Sequence, residues 1–507
     1  MKRHIFPYAT VLALSLLTGS CAEDNGNYNY KSINEVTIAT IDDQFCEAGA
    51  HLTISPALTI LDENSANLTY SWTIGTDEVS TEKDLDIDLP ALSYGGHLCA
   101  LTIKDSDTGM QYRQTFTLTI ANPFNYGYYF LTRKDDGSTE MAYIQAKEED
   151  NSTIEDVKYA TGVAEYPFDS EPKQIYGAYG YNSDYSATRW QLTFVTQEGE
   201  TPVIVTDNST FLPTSLVTES NYIEQDKGYT FEPDATVVSM QASTGQFFTS
   251  NGQFIRYANG KLYRPARHLQ EYYWSHPAIG DRGAAFAWVY DELSKRYYTL
   301  QAYTSDIPEQ GIIADSYAYD NVVEPTENQD IKGSVIYASD KLNGMNHSFN
   351  VYTADADEIR IYNFSKTYNQ TDAAFVSEAL LPLSGANENT AITVGSTGLS
   401  NGIFYVNSGN EIYSSPTTLP QLSSFLTVPS DLGNIEKIGL SALGNRLVVV
   451  LYDENSTEER KGSVVFVDIA TKKITHTFPN ILYHCASYWG ANESTSLMGY
   501  GQFGDGK

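Results

Sequence analysis

Short alternations of apolar and polar residues fill the chain from Glu35 onward, and an apolar face hardly ever recurs at helical spacing for ten residues. Between Glu35 and Ile120 the runs VTI (36–38), HLTISPAL (51–58), LTYSWTI (68–74), LDIDLP (85–90), HLCALTIKD (97–105) and YRQTFTLTI (112–120) are separated by turn residues. Short strands at that density predict an immunoglobulin-like β-sandwich. Beyond Asn122–Pro123 the pattern becomes one of strand pairs, each an aromatic or β-branched strand, a Gly/Asn/Asp turn and a return strand. Examples are GQFIRYANGKLYRP (252–265) and NGIFYVNSGNEIYSSP (401–416), which can be laid nearly over one another. The pairs centre near residues 135, 195, 257, 292, 350, 408 and 456, a mean spacing of about 54 residues. Four short strands and their loops fit that length, as in one propeller blade. Residues 122–507 then hold seven blades, with eight or six as the neighbouring counts. The fold class is all-β, a sandwich over residues 33–121 followed by a β-propeller over 122–507. Further sandwiches are the competing arrangement, while a parallel α/β domain lacks its helical crossovers.

The first residues follow a different pattern. Lys2 and Arg3 precede an apolar run from Ala9 to Leu17, and small residues then lead into Cys21. A charged start, an apolar centre and a small-residue end form an export signal over residues 1–20, too short to stay as a membrane span. No second stretch approaches a transmembrane length. Residues 21–32 are polar and rich in Gly and Asn, a flexible tether.

Charge narrows the partners. Removing residues 1–20 takes away two of 31 basic side chains and none of 64 acidic ones, so the formal charge moves from −33 to −35. That balance argues against nucleic acid or an anionic lipid surface and suits neutral, cationic or peptide ligands. Of four cysteines, Cys46 and Cys99 fall within the sandwich and are a disulfide candidate in an oxidising compartment. Trp72 lies 26 residues after the first and 27 before the second, the order in which a tryptophan packs over an inter-sheet disulfide. Unpaired cysteines beside a core Trp72 are the alternative. Cys485 reads as a buried thiol.

The opening residues through Cys21 resemble a bacterial lipoprotein signal in a relaxed form, with Leu17 four places before the cysteine. The resemblance implies cleavage before Cys21 and lipid attachment to it. Several acyl chains on one residue hold a protein firmly, at roughly 0.8 kcal/mol per buried methylene. GNYNYKSINEVTI (26–38), YSWTI (70–74) and LCALTIKDSDTG (98–109) resemble the PKD-like domain that opens a family of Bacteroidetes surface lipoproteins. The acidic pair Glu23–Asp24 behind the cysteine resembles the address of such proteins at the outer membrane, facing the cell exterior. The family implies an accessory role beside a TonB-dependent transporter and its lidding lipoprotein, in capture of glycan or peptide. It supplies no binding motif to carry over.

Candidate chemistry is sparse. No nucleotide-binding glycine loop, CxxC pair, HExxH helix, GxSxG elbow or EF-hand spacing occurs. No catalytic residue, metal ligand or cofactor is therefore assigned. Aromatic clusters stand out instead. EYYWSHPAIGDRG (271–283) carries Tyr272, Tyr273, Trp274 and Arg282, and YHCASYWGANES (483–494) carries Tyr488 and Trp489. Pro and Gly make the first read as a long loop, and the second repeats the idea. Aromatic faces beside polar groups stack on sugar rings or grip peptide side chains, so these six are the ligand-binding candidates. The expected function is a non-catalytic, lipid-anchored binding module of nutrient uptake. A structural component of the same complex and an extracellular glycoside hydrolase or lyase are the alternatives.

Overall fold

The computed structural model describes residues 35–491, apart from 47–48, 62–66, 91, 93–94, 121–126, 147–153, 160–169, 182–187, 197–198, 208–211, 223–227, 239–245, 259, 264–270, 280–285, 302–320, 344–345, 368–371, 397 and 442. Among these residues the protein is all-β. Strands carry the regular structure, with short 3-10 turns such as Glu219–Asn221 and Ser430–Leu432, and no α-helix occurs. The chain divides into two compact units, the first ending at Thr119 and the second running on from Ile120.

Among its described residues the first unit has nine strands: β1 (Val36–Ile38), β2 (Gln44–Cys46), β3 (His51–Ile54), β4 (Leu58–Ile60), β5 (Leu68–Ile74), β6 (Asp77–Ser80), β7 (Leu85–Asp88), β8 (Gly95–Asp105) and β9 (Gln111–Ile120). They form a five-stranded sheet in the order β2-β9-β8-β5-β6 and two strand pairs, β1-β4 and β3-β7. Alternation explains the core. Trp72 and Ile74 on β5, Ile103 on β8 and Phe116 and Leu118 on β9 are buried, while Thr69, Lys104 and Thr115 between them reach solvent. Trp72 meets Phe116 edge-on at 6.3 Å, and its indole N–H donates to the Glu82 carbonyl at 3.0 Å. Cys46 and Cys99 are both free thiols, which corrects the disulfide expectation. The reason is topological. They sit on β2 and β8 of one sheet with β9 between them, and two strand spacings of about 4.8 Å exceed the reach of a disulfide, about 7 Å between Cα atoms.

The second unit is a succession of four-stranded antiparallel meanders. Sheet I contains β10 (Gly127–Arg133), β11 (Thr139–Ala146) and β12 (Ile154–Tyr159). Sheet II contains β13 (Pro172–Tyr181), β14 (Thr188–Thr196), β15 (Val203–Asp207) and β16 (Leu212–Val217). Sheet III contains β17 (Pro233–Val238), β18 (Gln246–Ser250), β19 (Gln253–Ala258) and β20 (Lys261–Tyr263). Sheet IV contains β21 (Trp274–Ile279), β22 (Phe286–Asp291), β23 (Arg296–Gln301) and β24 (Asn321–Val323). Sheet V contains β25 (Ser334–Asn343), β26 (Asn346–Asp355), β27 (Glu358–Thr367) and β28 (Ala373–Pro382). Sheet VI contains β29 (Ile392–Val394), β30 (Ile403–Ser408), β31 (Glu411–Pro416) and β32 (Ser423–Thr427). Sheet VII contains β33 (Asn434–Leu440), β34 (Arg446–Tyr452), β35 (Gly462–Asp468) and β36 (Lys473–Leu482). The last strand, β37 (His484–Ala491), returns to sheet I and pairs with β10, giving the order β12-β11-β10-β37.

Each sheet packs on the next through its two faces. In sheet VII, Leu447, Val449 and Leu451 share a core with Tyr405 and Ile412 of sheet VI, while Val448 and Val450 share one with Tyr128 and Phe130 of sheet I. The same alternation joins I to II through Tyr129 and Phe194, III to IV through Phe254 and Val289, and IV to V through Trp288 and Phe349. A strand between two such cores has no polar face to show, so β18 (QFFTS) and β34 (RLVVVLY) are buried at every position. The first strands also approach one another. β13 lies against β17, β17 against β21, β21 against β25, β25 against β29, β29 against β33, β33 against β37, and β37 against β13.

Candidate functional site

The predicted loops around the two aromatic clusters are strands instead. Residues 274–279 form β21 and residues 484–491 form β37, each placed where two neighbouring sheets press on it. Pro277 is accommodated by a register shift between Ser275 and Ala278, with His276 at φ +45°, so the strand keeps its pairing on either side of the irregularity.

On β37, Tyr488 and Trp489 point to opposite neighbours, as consecutive strand residues must. Both are buried, at 0% and 3% exposure, so neither offers a face to a ligand from solvent. The Tyr488 ring stacks on Phe130 at 6.1 Å and enters a notch at Gly439 of β33, where an added Cβ would lie 1.1 Å from the phenol oxygen. Trp489 packs on Tyr176 at 5.4 Å and on Gly177 of β13, where a Cβ would lie 2.2 Å from the indole nitrogen. These rings are wedges between sheets I, II and VII. That corrects their reading as ligand contacts.

The start of β37 is held from sheet VII. His484 stacks on Tyr452 with centroids 3.6 Å apart, and its Nδ1 lies 3.0 Å from Glu436 Oε1. The Cys485 backbone N–H donates to the other oxygen of Glu436 at 3.0 Å. The hydrogen bond to Glu436 raises the His484 pKa above its ordinary value; burial opposes it, the Glu436 and Glu454 charges add to it, and Arg133 opposes. A raised imidazole pKa gives a sign. The seam's gain from His484 is fully present below pH about 6.5 and is lost as pH rises through the higher folded value. The thermal-stability gap between the wild type and His484→Gln should accordingly shrink from pH 6 to pH 9. A gap that stays constant over that range would refute the assignment.

The first cluster behaves differently from residue to residue. Trp274 is 1% exposed and stacks beneath Tyr272 at 4.5 Å and 16°, with Tyr298 edge-on to both rings. Trp274 is thus core, against its reading as a ligand contact, and Tyr272 is half-buried upon it. Arg282 and Cys21 lie outside the described residues. Among the described candidates Tyr273 has the most open face, at 46% exposure.

That face is fixed from beneath and from both sides. The ring lies on Gly252, at the turn between β18 and β19 of sheet III, where a Cβ would come within 2.4 Å of the ring and φ is +70°. Tyr273 N–H donates to Asp291 Oδ1 at 2.9 Å, and its carbonyl accepts from Glu292 N–H at 2.9 Å. Asp291, 2% exposed, also accepts from the amides of Leu293 and Ser294, so the turn that grips Tyr273 is itself fixed. Trp274 N–H donates to the Gly252 carbonyl at 2.8 Å and ties sheet IV to the sheet III turn. The flanking turns carry further hydrogen bonds. Asn251 reaches Thr230 at 3.4 Å, and Ser275 donates to Glu292 at 2.8 Å while Lys295 meets the other Glu292 oxygen at 2.9 Å. Burial pushes the Glu292 pKa up, but the bonds from Lys295 and Ser275 outweigh it and leave it below its ordinary value, charged at neutral pH. An exposed aromatic face held on a glycine turn can stack on a flat apolar surface of a ligand. Among the described residues no group of three His, Cys, Asp or Glu side chains is arranged to hold a metal ion, and no helix is long and apolar enough to cross a membrane.

An all-β protein is what the described residues define. Residues 21–164 match the PKD-like family, a span that runs past the first unit through the strands β10 to β12 of sheet I. No curated protein matches the chain. Among solved structures it is similar to a quinonprotein alcohol dehydrogenase-like protein of Bacteroides thetaiotaomicron, at 13% identity and TM-score 0.45, over 86% of this chain and 94% of that one. It is also similar to a chain of a mitotic checkpoint complex, at 7% identity and TM-score 0.33, over 64% of this chain and 95% of that one.

Proposed function

We propose that the second unit closes as a seven-bladed propeller and serves as a rigid, non-catalytic platform for capture of a glycan or peptide. Closure is supported by the pairing of the last strand with β10, by the core that joins sheet VII to sheet I, and by the run of first strands from β13 round to β37. The platform reading rests on one observation, the exposed Tyr273 ring held on Gly252 with its backbone bonded to the Asp291–Glu292 turn. Preorganisation matters because a ring already fixed loses little entropy when a ligand stacks on it. Export and lipid attachment at Cys21 belong to the same proposal, as do the outer membrane address and the partnership with a TonB-dependent transporter and its lidding lipoprotein. The signal pattern of residues 1–21 and the PKD-like match support them.

One preparation tests the reading. The chain is extracted from its native membrane, its N-terminal peptide is weighed for acyl chains on Cys21, and its binding to an oligosaccharide and peptide array is compared with that of Tyr273→Ala. Tyr273→Ala should lower binding about tenfold, equivalent to about 1.4 kcal/mol, with the melting temperature unchanged because the ring is on the surface. Equal binding by the two proteins would remove Tyr273 from the site, and an unmodified Cys21 would remove the anchor.

A further inference from the structure

We propose that the Tyr273 platform takes a peptide, one that sets an aliphatic or aromatic side chain on the platform and carries lysine or arginine beside it. The inference rests on the platform reading above and deepens it by choosing between the two ligand classes. A second large apolar side chain stands exposed on the turn that grips the ring. Leu293 is 69% exposed. Its N–H donates to Asp291 Oδ1 at 3.3 Å, the same oxygen that accepts from the Tyr273 N–H at 2.9 Å. One carboxylate oxygen thus keeps the two backbone nitrogens no more than about 6 Å apart. Asp291 is buried, and the Lys295 N–H closes the turn on its carbonyl at 2.8 Å. Tyr273 and Leu293 are therefore placed by the same buried group while both side chains stay in water.

The carboxylates of this turn are engaged within the protein. Asp291 Oδ2 accepts from the Ser294 N–H at 2.9 Å, Glu292 Oε1 from the Ser275 hydroxyl at 2.8 Å and Glu292 Oε2 from Lys295 at 2.9 Å. A pyranose stacked on an aromatic ring needs polar groups at the ring's edge for its hydroxyls. Hydroxyls turned onto an exposed leucine lose water without gaining a partner. An aliphatic or aromatic side chain has no such loss and removes Tyr273 and Leu293 from water together. The Tyr273 and Leu293 N–H groups are bonded to Asp291 and the Tyr273 carbonyl accepts from Glu292, so the ligand is gripped by its side chain and not by addition of a strand. Charge selects what flanks that side chain. A formal charge of −33 repels an acidic peptide at long range and draws in a basic one, and salt weakens both effects.

The test titrates the whole exported chain with a labelled, end-blocked octapeptide holding one leucine among lysines and glycines. The same peptide with glutamate for lysine and a labelled neutral hexasaccharide are the comparisons. Leu293→Ser keeps the N–H that Asp291 holds, and it should weaken the basic peptide about fivefold with the melting temperature unchanged. Tyr273→Ala should weaken it about tenfold. The glutamate peptide should bind the wild type about tenfold less well than the lysine peptide at 20 mM NaCl, with the gap narrowing at 500 mM. A hexasaccharide that binds the wild type and Leu293→Ser alike, and no longer binds Tyr273→Ala, would overturn the peptide assignment and leave the platform standing. So would a peptide whose binding needs Tyr273 and is indifferent to Leu293. Ligands that bind Tyr273→Ala as well as the wild type, or that bind neither, would overturn the platform and the assignment together.

Discussion

Gly439→Ala is expected to destabilise the second unit by about 3 kcal/mol or more, an effect larger than most single methyl additions produce. The new Cβ would lie 1.1 Å from the Tyr488 phenol oxygen and 1.8 Å from the carbon that bears it. Overlaps that severe cannot be relieved by a few tenths of an ångström, so the ring must leave its notch. Eviction sacrifices most of what a buried aromatic contributes, about 3–5 kcal/mol when such a side chain is truncated to alanine. The paired variant decides whether the glycine is there for the ring. Once Tyr488→Ala has removed the ring, Gly439→Ala should cost little, and the double variant should be less destabilised than the sum of the singles by about 2 kcal/mol. Urea unfolding of the four proteins, followed by tryptophan fluorescence, measures this. Additive costs would mean that Gly439 serves the backbone and that Tyr488 is held by other neighbours.

This pairing shows where reading the chain from its sequence succeeds and where it stops. The all-β class was legible because strand-length apolar runs and Asn-Gly turns are local signals, and Trp72 was recognisable as core. The disulfide failed because two cysteines with suitable spacing in sequence landed on strands of one sheet separated by β9, a matter of topology that spacing does not encode. The aromatic clusters failed for a related reason. In an isolated sheet with one wet face, residues such as Trp274 and Trp489 beside Pro, His and Gly read as loop. Here each sheet is covered on both faces, so first strands can carry irregularities such as the one at His276–Pro277 and still bury the residues on either side, Trp274 and Ala278. Of the six candidates, Tyr273 keeps an open face because Gly252, twenty-one residues earlier, sits under it. The Gly252 turn is visible in the sequence as Asn251–Gly252, but what lies over a turn depends on the neighbouring sheet.

Arg460→Ala should cost about 3 kcal/mol, and the size of that loss follows from what is left behind. Arg460 bonds Glu140 in a fork, Nε to Oε1 at 3.0 Å and Nη2 to Oε2 at 2.8 Å, and the Glu140 side chain is only 4% exposed. The pair links the loop between β34 and β35 of sheet VII to β11 of sheet I, across the same seam that β37 fills. The Arg460 guanidinium also lies 5.2 Å from the Tyr483 ring, whose hydroxyl donates to Glu459 at 2.7 Å. That bond, with burial, pushes the Tyr483 pKa up to about 12, so the phenol remains a donor through the working pH range. Removing the arginine strands a buried carboxylate, which costs more than the intact pair contributes. Replacing both partners removes the charge to be stranded. The double variant Glu140→Met/Arg460→Met should therefore unfold within about 1 kcal/mol of the wild type, and Arg460→Lys should fall between, because one ammonium cannot make two parallel bonds. Denaturation midpoints for the four proteins give the order directly. A double variant as unstable as Arg460→Ala would show that the seam needs the ion pair itself, and not merely freedom from an unpaired charge.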